Sequence, residues 1–154
     1  MIKYNTSKYK RTKMECEFPT INSDKSLIKE IFSKTKSIAI IGCSPDSTKA
    51  SNMVAKYFID AGFTVYPVYP KEDVILEQKV YRSLLDIPFS VDMVDIFRKP
   101  KVISEVVDEC IKRGDVYCVW SQLGLVNNEA MQRAKDEGIQ TVQNHCTKIE
   151  HRNL

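Results

Sequence analysis

Short runs that are apolar from end to end, rather than alternating, recur along this chain with amphipathic helical stripes between them. The runs lie at 38–41, 64–68, 91–97, 116–120 and 141–142. A strand buried on both faces reads this way, and such strands belong to parallel sheets covered by helices. Ala50, Met53, Val54, Tyr57, Phe58 and Ala61 step by three and four residues along one helix face, and Gly62 stops that helix. Ile103, Val106, Val107, Cys110 and Ile111 repeat the stripe between Pro100 and Gly114. Asn127 caps a third helix that carries Ala130, Met131 and Ala134 and ends at Gly138. Each strand-helix unit spans about 25 residues, as a right-handed βαβ crossover needs.

Leu27, Ile28, Ile31 and Phe32 mark an additional helix ahead of the first strand. Between Pro70 and Pro88 the helical pattern is poor, and a brief turn over 83–86 is all it predicts. The expected fold is α/β: a Rossmann-like, doubly wound, mainly parallel five-stranded sheet with an extra N-terminal helix. One domain is expected over 24–154, behind a basic leader at 1–23.

Charge is unevenly placed. Residues 1–36 hold nine Lys/Arg against four Asp/Glu, a balance of +5, and residues 37–154 hold fourteen against sixteen, a balance of −2. The leader thus reads as a solvated arm able to touch an acidic partner. The folded part has no basic groove of the kind that follows nucleic acid. No apolar run approaches the length of a membrane span, and the basic N-terminus has no apolar stretch behind it, so a cytoplasmic protein is expected. Five cysteines, an odd number without a C-x-x-C pair, predict reduced thiols. Adjacent His145 and Cys146 point apart in a strand or turn, which disfavours a shared metal.

In a doubly wound sheet, ligands gather beyond the carboxyl ends of the strands. The first end reads Gly42-Cys43-Ser44-Pro45, followed by Ser47, Thr48 and Lys49. A glycine turn into a helix suits phosphate, because backbone amides and the helix dipole converge there. A branched side chain at Gly42 would occupy the phosphate's place while sparing the fold. The pattern is not G-x-G-x-x-G, so the ordinary dinucleotide fingerprint is absent.

The second end, Val68-Tyr69-Pro70-Lys71, carries a lysine where an NAD site would hold an acid for the ribose diol. That favours a nucleotide with an extra ribose phosphate. The third, Asp95-Ile96-Phe97-Arg98-Lys99, puts a carboxylate inside an apolar strand, where it needs a partner. Arg98 can either clamp a phosphate or pair with Asp95. The fourth, Trp120-Ser121-Gln122-Leu123-Gly124, suits a loop lining the same cleft, with Trp120 in the core.

These segments together resemble the small, stand-alone coenzyme A-binding proteins, whose domain is similar to the nucleotide-binding domain of the succinyl-CoA ligase alpha subunit. The likeness covers about residues 24–154 and rests on IAIIGCSPDSTKASNMVAKYF, VYPVYP, VDMVDIFRKP, VWSQLG and HCTKIEH. It implies coenzyme A or an acyl-CoA as ligand. The implied binding residues are Gly42, Cys43, Ser44, Lys49, Val68, Pro70, Lys71, Phe97, Arg98, Gln122 and Gly124. Tyr69 departs from the asparagine usual between the valine and the proline.

The ligase works through a phosphohistidine beyond this domain, so the resemblance implies binding without catalysis. His151 resembles the end of the small binding proteins and not a catalytic histidine. No G-x-S-x-G elbow occurs, and Ser44 has no base in its pattern. Two alternatives stand beside this reading. One is an NADP- or NAD-linked oxidoreductase or redox sensor on the same sheet. The other is an interaction subunit whose protein partner supplies catalysis, docking through the leader or the helix at 24–35.

Overall fold

The structure, a computed structural model, describes residues 24–154, and the leader at 1–23 lies outside them. The chain runs α1 (Lys25–Ser33), β1 (Ser37–Ile41), α2 (Ala50–Asp60), β2 (Thr64–Val68), a small hairpin of β3 (Val74–Ile75) and β4 (Gln78–Lys79), and a 3₁₀ turn at Leu84–Asp86. It continues with β5 (Met93–Ile96), α3 (Pro100–Arg113), β6 (Cys118–Ser121), α4 (Asn128–Asp136), β7 (Gln140–Val142) and α5 (Thr147–Arg152). The sheet is five-stranded and wholly parallel, in the order β2-β1-β5-β6-β7.

All five residues of β1 are buried, because β2 and β5 flank it and helices cover both faces. Alternate side chains feed two cores. Ala39, Ile41, Val94 and Ile96 meet α3 and α4 through Ile103, Val106, Val107 and Met131. Ile38, Ile40, Met93 and Trp120 meet α1 and α2 through Ile31, Phe32, Val54 and Phe58. α5 closes that second face, with His151 set edge-on to Phe32, Phe58 and Phe63 and its Nδ1 2.7 Å from the Tyr57 hydroxyl. Burial holds this imidazole below its usual pKa.

Pro67 fits because β2 is an edge strand. Its carbonyl accepts from Tyr81 N–H at 2.9 Å on the outer side, the side on which proline lacks a donor. The helix ends follow their expected chemistry. Asp24 accepts from Leu27 N–H at 2.9 Å, Asn127 accepts from Ala130 N–H at 3.1 Å, and Gly114 ends α3 at φ 78°.

The 3₁₀ turn appears where the sequence predicts one, but β3, β4 and α5 do not follow from periodicity. Two-residue strands are too short to alternate visibly. α5 has only six residues, a length at which docking and not propensity makes a helix.

Arg113 secures the segment between the hairpin and β5. Its guanidinium donates to the carbonyls of Leu84, Ile87 and Phe89 at 2.8–2.9 Å and pairs with Asp115 at 2.8 Å. The side chain is 10% exposed, so these bonds are little screened. Arg113→Ala should cost about 2–3 kcal/mol in urea unfolding. Arg113→Lys should recover little of it, since an ammonium cannot fork to three carbonyls. Full stability in the alanine variant would contradict this role.

Candidate functional site

Strand order reverses between β1 and β5, where ligands of such sheets settle. The two residues leaving that point are in contact. Gly42 has φ +83°, and a Cβ built on it would lie 2.6 Å from Arg98 Cδ, 3.1 Å from Cγ and 3.3 Å from the Phe97 carbonyl oxygen. The left-handed backbone angle favours glycine here, and a Cβ would also press on the Phe97 carbonyl and displace the exposed arginine stem crossing it. Beside this crossing opens a cleft of about 250 Å³. Ile41, Val68, Leu84, Val102 and Val106 form its apolar wall, and Arg82, Arg98, Glu105 and Glu109 bring charge to it.

The turn after β1 is held from within. Gly42 and Cys43 amides both donate to the Val68 carbonyl, at 2.9 and 3.2 Å, and the Ser44 amide donates to Ser51 Oγ at 2.9 Å. Asn52 Nδ2 donates to the Ser44 carbonyl at 2.9 Å. Asp46 accepts from Thr48 N–H and hydroxyl at 2.9 and 2.7 Å, which lowers its pKa. The expectation that the turn's own amides point at phosphate is thus corrected. Three of them serve to fix the loop, because β2 ends level with it and offers Val68 O as acceptor.

Of the residues singled out in the sequence, Gly42, Val68, Pro70 and Arg98 line the cleft together. Lys49 stands exposed at the N-cap of α2, and Lys71 is exposed just past Pro70. Neither lines the cleft; Lys71 follows the lining residue Pro70 in the chain, whereas Lys49 lies seven residues past Gly42. Phe97 is half-buried against the α1–α2 core, with its amide donating to Ile41 O at 2.9 Å. Gly124 is exposed, and its amide donates to Asn144 Oδ1 at 2.8 Å. Cys43 points inward: its side chain is fully buried, and burial pushes the thiol up to about 12.

Gln122 is also turned inward, and here the structure settles the partner of Asp95. Gln122 Nε2 donates to Asp95 Oδ1 at 2.6 Å and to Thr147 Oγ1 at 2.8 Å, and Thr147 Oγ1 donates to Asp95 Oδ2 at 2.7 Å. The ring joins β5, the end of β6 and the start of α5. Arg98 is not the partner. Two residues past β5, it has its stem over Gly42, and its guanidinium has no hydrogen-bond partner among the described residues. Asp95 is fully buried between two neutral donors, and burial raises its pKa to about 7.

Sequence reasoning missed Arg82, Ser83, Leu84, Glu105 and Glu109. The first three fall in the segment without periodicity. There Arg82 donates to the carbonyls of Tyr69, Lys71 and Glu72 at 2.6–3.2 Å and ties down the loop after β2. Ser83 Oγ donates to Glu109 Oε2 at 2.7 Å. A signal for the glutamates did exist. Positions 102, 105, 106 and 109 form one helical stripe, with two valines and two acids facing the same groove.

With this geometry in place, relatives decide the family. The profile of the CoA binding domain matches residues 36–152, the whole sheet with α2 to α5. The chain belongs to the CoA binding domain family. A small relative, the uncharacterized protein YneT of Bacillus subtilis, is 37% identical over 130 residues, 84% of this chain and 96% of its own. A solved structure of a hypothetical protein from Pyrococcus horikoshii is 39% identical with a TM-score of 0.83, covering 90% of this chain and 96% of that one.

Acetate–CoA ligase (ADP-forming) II of Archaeoglobus fulgidus is 42% identical over 81 residues, 51% of this chain but only 12% of the ligase. This CoA-binding domain is therefore related to that of CoA ligases, of which it spans a small part. Among the described residues, no helix is long and apolar enough to cross a membrane.

Two outcomes are expected from variants here. Gly42→Ala should destabilise the domain by about 1–3 kcal/mol, since the left-handed backbone and the Arg98 stem both oppose a Cβ. Thermal unfolding at the wild-type temperature would refute that and favour the expectation that a side chain at Gly42 spares the fold. The second concerns pH. Asp95 has a folded pKa near 7, above its unfolded value near 4, so its contribution to stability is full below pH 4 and fades as pH rises to 7. Asp95→Asn should remove that part of the fall between pH 4 and 7 in chemical denaturation, and an unchanged slope would contradict the burial argument.

Proposed function

We propose that this domain binds coenzyme A or an acyl-CoA through its phosphates, at the carboxyl edge of the sheet, without chemistry of its own. The observation that carries the reading is the crossing of Gly42 and Arg98 at the strand-order switch of a CoA binding domain. A backbone without Cβ and a guanidinium without an internal partner stand side by side there, next to an apolar cleft.

Arg98 takes the diphosphate as a bidentate donor, together with the first turn of α2 and Lys49 behind it. Lys71 takes the additional ribose phosphate, held in place because Arg82 fixes the backbone on either side of it. The walls of Val68, Leu84, Val102 and Val106 shelter the flat, apolar faces of the ligand.

The absence of catalysis rests on what surrounds the cleft. The Ser83 hydroxyl at the cleft donates to the Glu109 carboxylate, and no imidazole is among the lining residues. His151 is enclosed by aromatic rings on the far face, and His145 lies 3.7 Å from Glu150. The Cys43 thiol is buried and protonated. A nucleophile needs a positioned base or a lowered pKa; the buried Cys43 thiol has neither, and both imidazoles stand away from the residues that line the cleft.

Calorimetry and thermal shift with CoA, dephospho-CoA, NADP and NAD test the reading. CoA should bind about tenfold to a hundredfold more tightly than dephospho-CoA, the worth of one charge-assisted hydrogen bond. Lys71→Ala should erase that difference, whereas Arg98→Gln should weaken both ligands alike. Equal binding of CoA and dephospho-CoA by the wild type would remove Lys71 from the site. Stronger stabilisation by NADP than by CoA would overturn the function.

A further inference from the structure

The ring of Asp95, Gln122 and Thr147 is a buried polar cluster that ligand binding at the cleft does not itself require. Its place in the fold gives it a use. Asp95 lies on β5, three residues before Arg98. Gln122 opens the loop after β6, with its own amide donating to the Ile96 carbonyl at 3.3 Å, and Thr147 begins α5. Three separate segments of the ligand-facing edge are thus pinned to one carboxyl group by bonds of 2.6–2.8 Å.

The carboxyl group itself is left electrically uncompensated. Its register neighbours are Ile40 on β1 and Trp120 on β6, and the contact from α5 is the Thr147 hydroxyl. The titratable group coupled to it is the Cys118 thiol of β6, which burial and the Asp95 charge both keep protonated. Among the described residues no cation offsets its charge, and only the two neutral donors oppose the cost of burial.

We propose that Asp95 is a positioning residue for the ligand-facing edge and that it takes up a proton when CoA binds. The inference rests on the CoA reading above. An anionic ligand at the ends of β1 and β5 adds negative charge to the field of a buried carboxylate that has no counter-ion. The protonated form is then favoured in the complex. The ring survives protonation: the carboxyl O–H donates to Thr147 Oγ1 while the other oxygen still accepts from Gln122. Free Asp95 titrates near neutrality, so the uptake falls in the range where binding is measured.

The test is calorimetry of CoA binding to the full chain from pH 6 to 8.5, in buffers of different ionisation enthalpy. Wild type and Asp95→Asn are compared with the same ligand, so protons belonging to the CoA phosphates cancel. Asparagine is isosteric and can donate to Thr147 while accepting from Gln122, so the ring persists without its titration.

Wild type should show net proton uptake that the variant lacks. Its affinity should fall by about tenfold more than the variant's across that range. Thr147→Val provides an independent check. It removes a donor to the carboxylate, so the midpoint of the wild-type pH profile should move upward. Identical proton uptake in wild type and Asp95→Asn, or an unmoved midpoint in Thr147→Val, would overturn the proposal while leaving CoA binding intact. Failure of the folded wild type to bind CoA at any pH would sink the CoA reading and this inference with it.

Discussion

The chain must leave β1 in a left-handed turn, and much of the domain follows from that one backbone choice. At Gly42 the path bends so that two successive amides reach the same acceptor, Val68 O, at the end of β2. This locks β1 and β2 level at their carboxyl ends and sends the chain towards α2 on one face. The chain leaving β5 turns to α3 on the other face, and in doing so lays the Arg98 stem across the space a Cβ would fill. At the switch in strand order, the cleft is therefore bounded by this glycine on one side and by the arginine that crosses it on the other.

That constraint explains why the sheet was legible in the sequence and the site only partly so. Parallel strands buried on both faces leave an unmistakable mark, as 38–41 and 93–96 show, since every position must be apolar. Asp95 is the exception that stood out for the same reason. Helices α2, α3 and α4 were visible because their buried stripes are long and end in glycines at 62, 114 and 138. The loop after β2 was not, because it is held by one side chain reaching three carbonyls. Arg82 binding Tyr69, Lys71 and Glu72 has no periodicity to read.

Residue roles were harder to read than residue positions. Strand ends identify which residues arrive at the edge, but not which way each side chain turns. Cys43 and Gln122 reach the edge and turn inward, one into the core and the other onto Asp95. The inward turn of Gln122 has a physical cause. A carboxylate already committed to the interior of β5 makes an unsatisfied oxygen far costlier than the loss of one solvent-exposed amide. Thr147 is drawn in by the same demand, which fixes the start of α5 although that helix is too short to form by propensity.

The two faces of the sheet therefore do different work at the same edge. On the α3 side the cleft is open: Arg82 and Glu109 are held by hydrogen bonds, while Arg98 has no partner among the described residues and Glu105 is exposed. On the α1–α2–α5 side the polar groups are buried, saturated and mutually bonded. The cleft side thus presents an unpaired guanidinium, whereas the support cannot shift without breaking buried hydrogen bonds. β5 joins the two over three residues, from Asp95 in the support to Arg98 at the cleft. Asp95 and the approach to Arg98 are thus placed by a single strand that is paired on both sides.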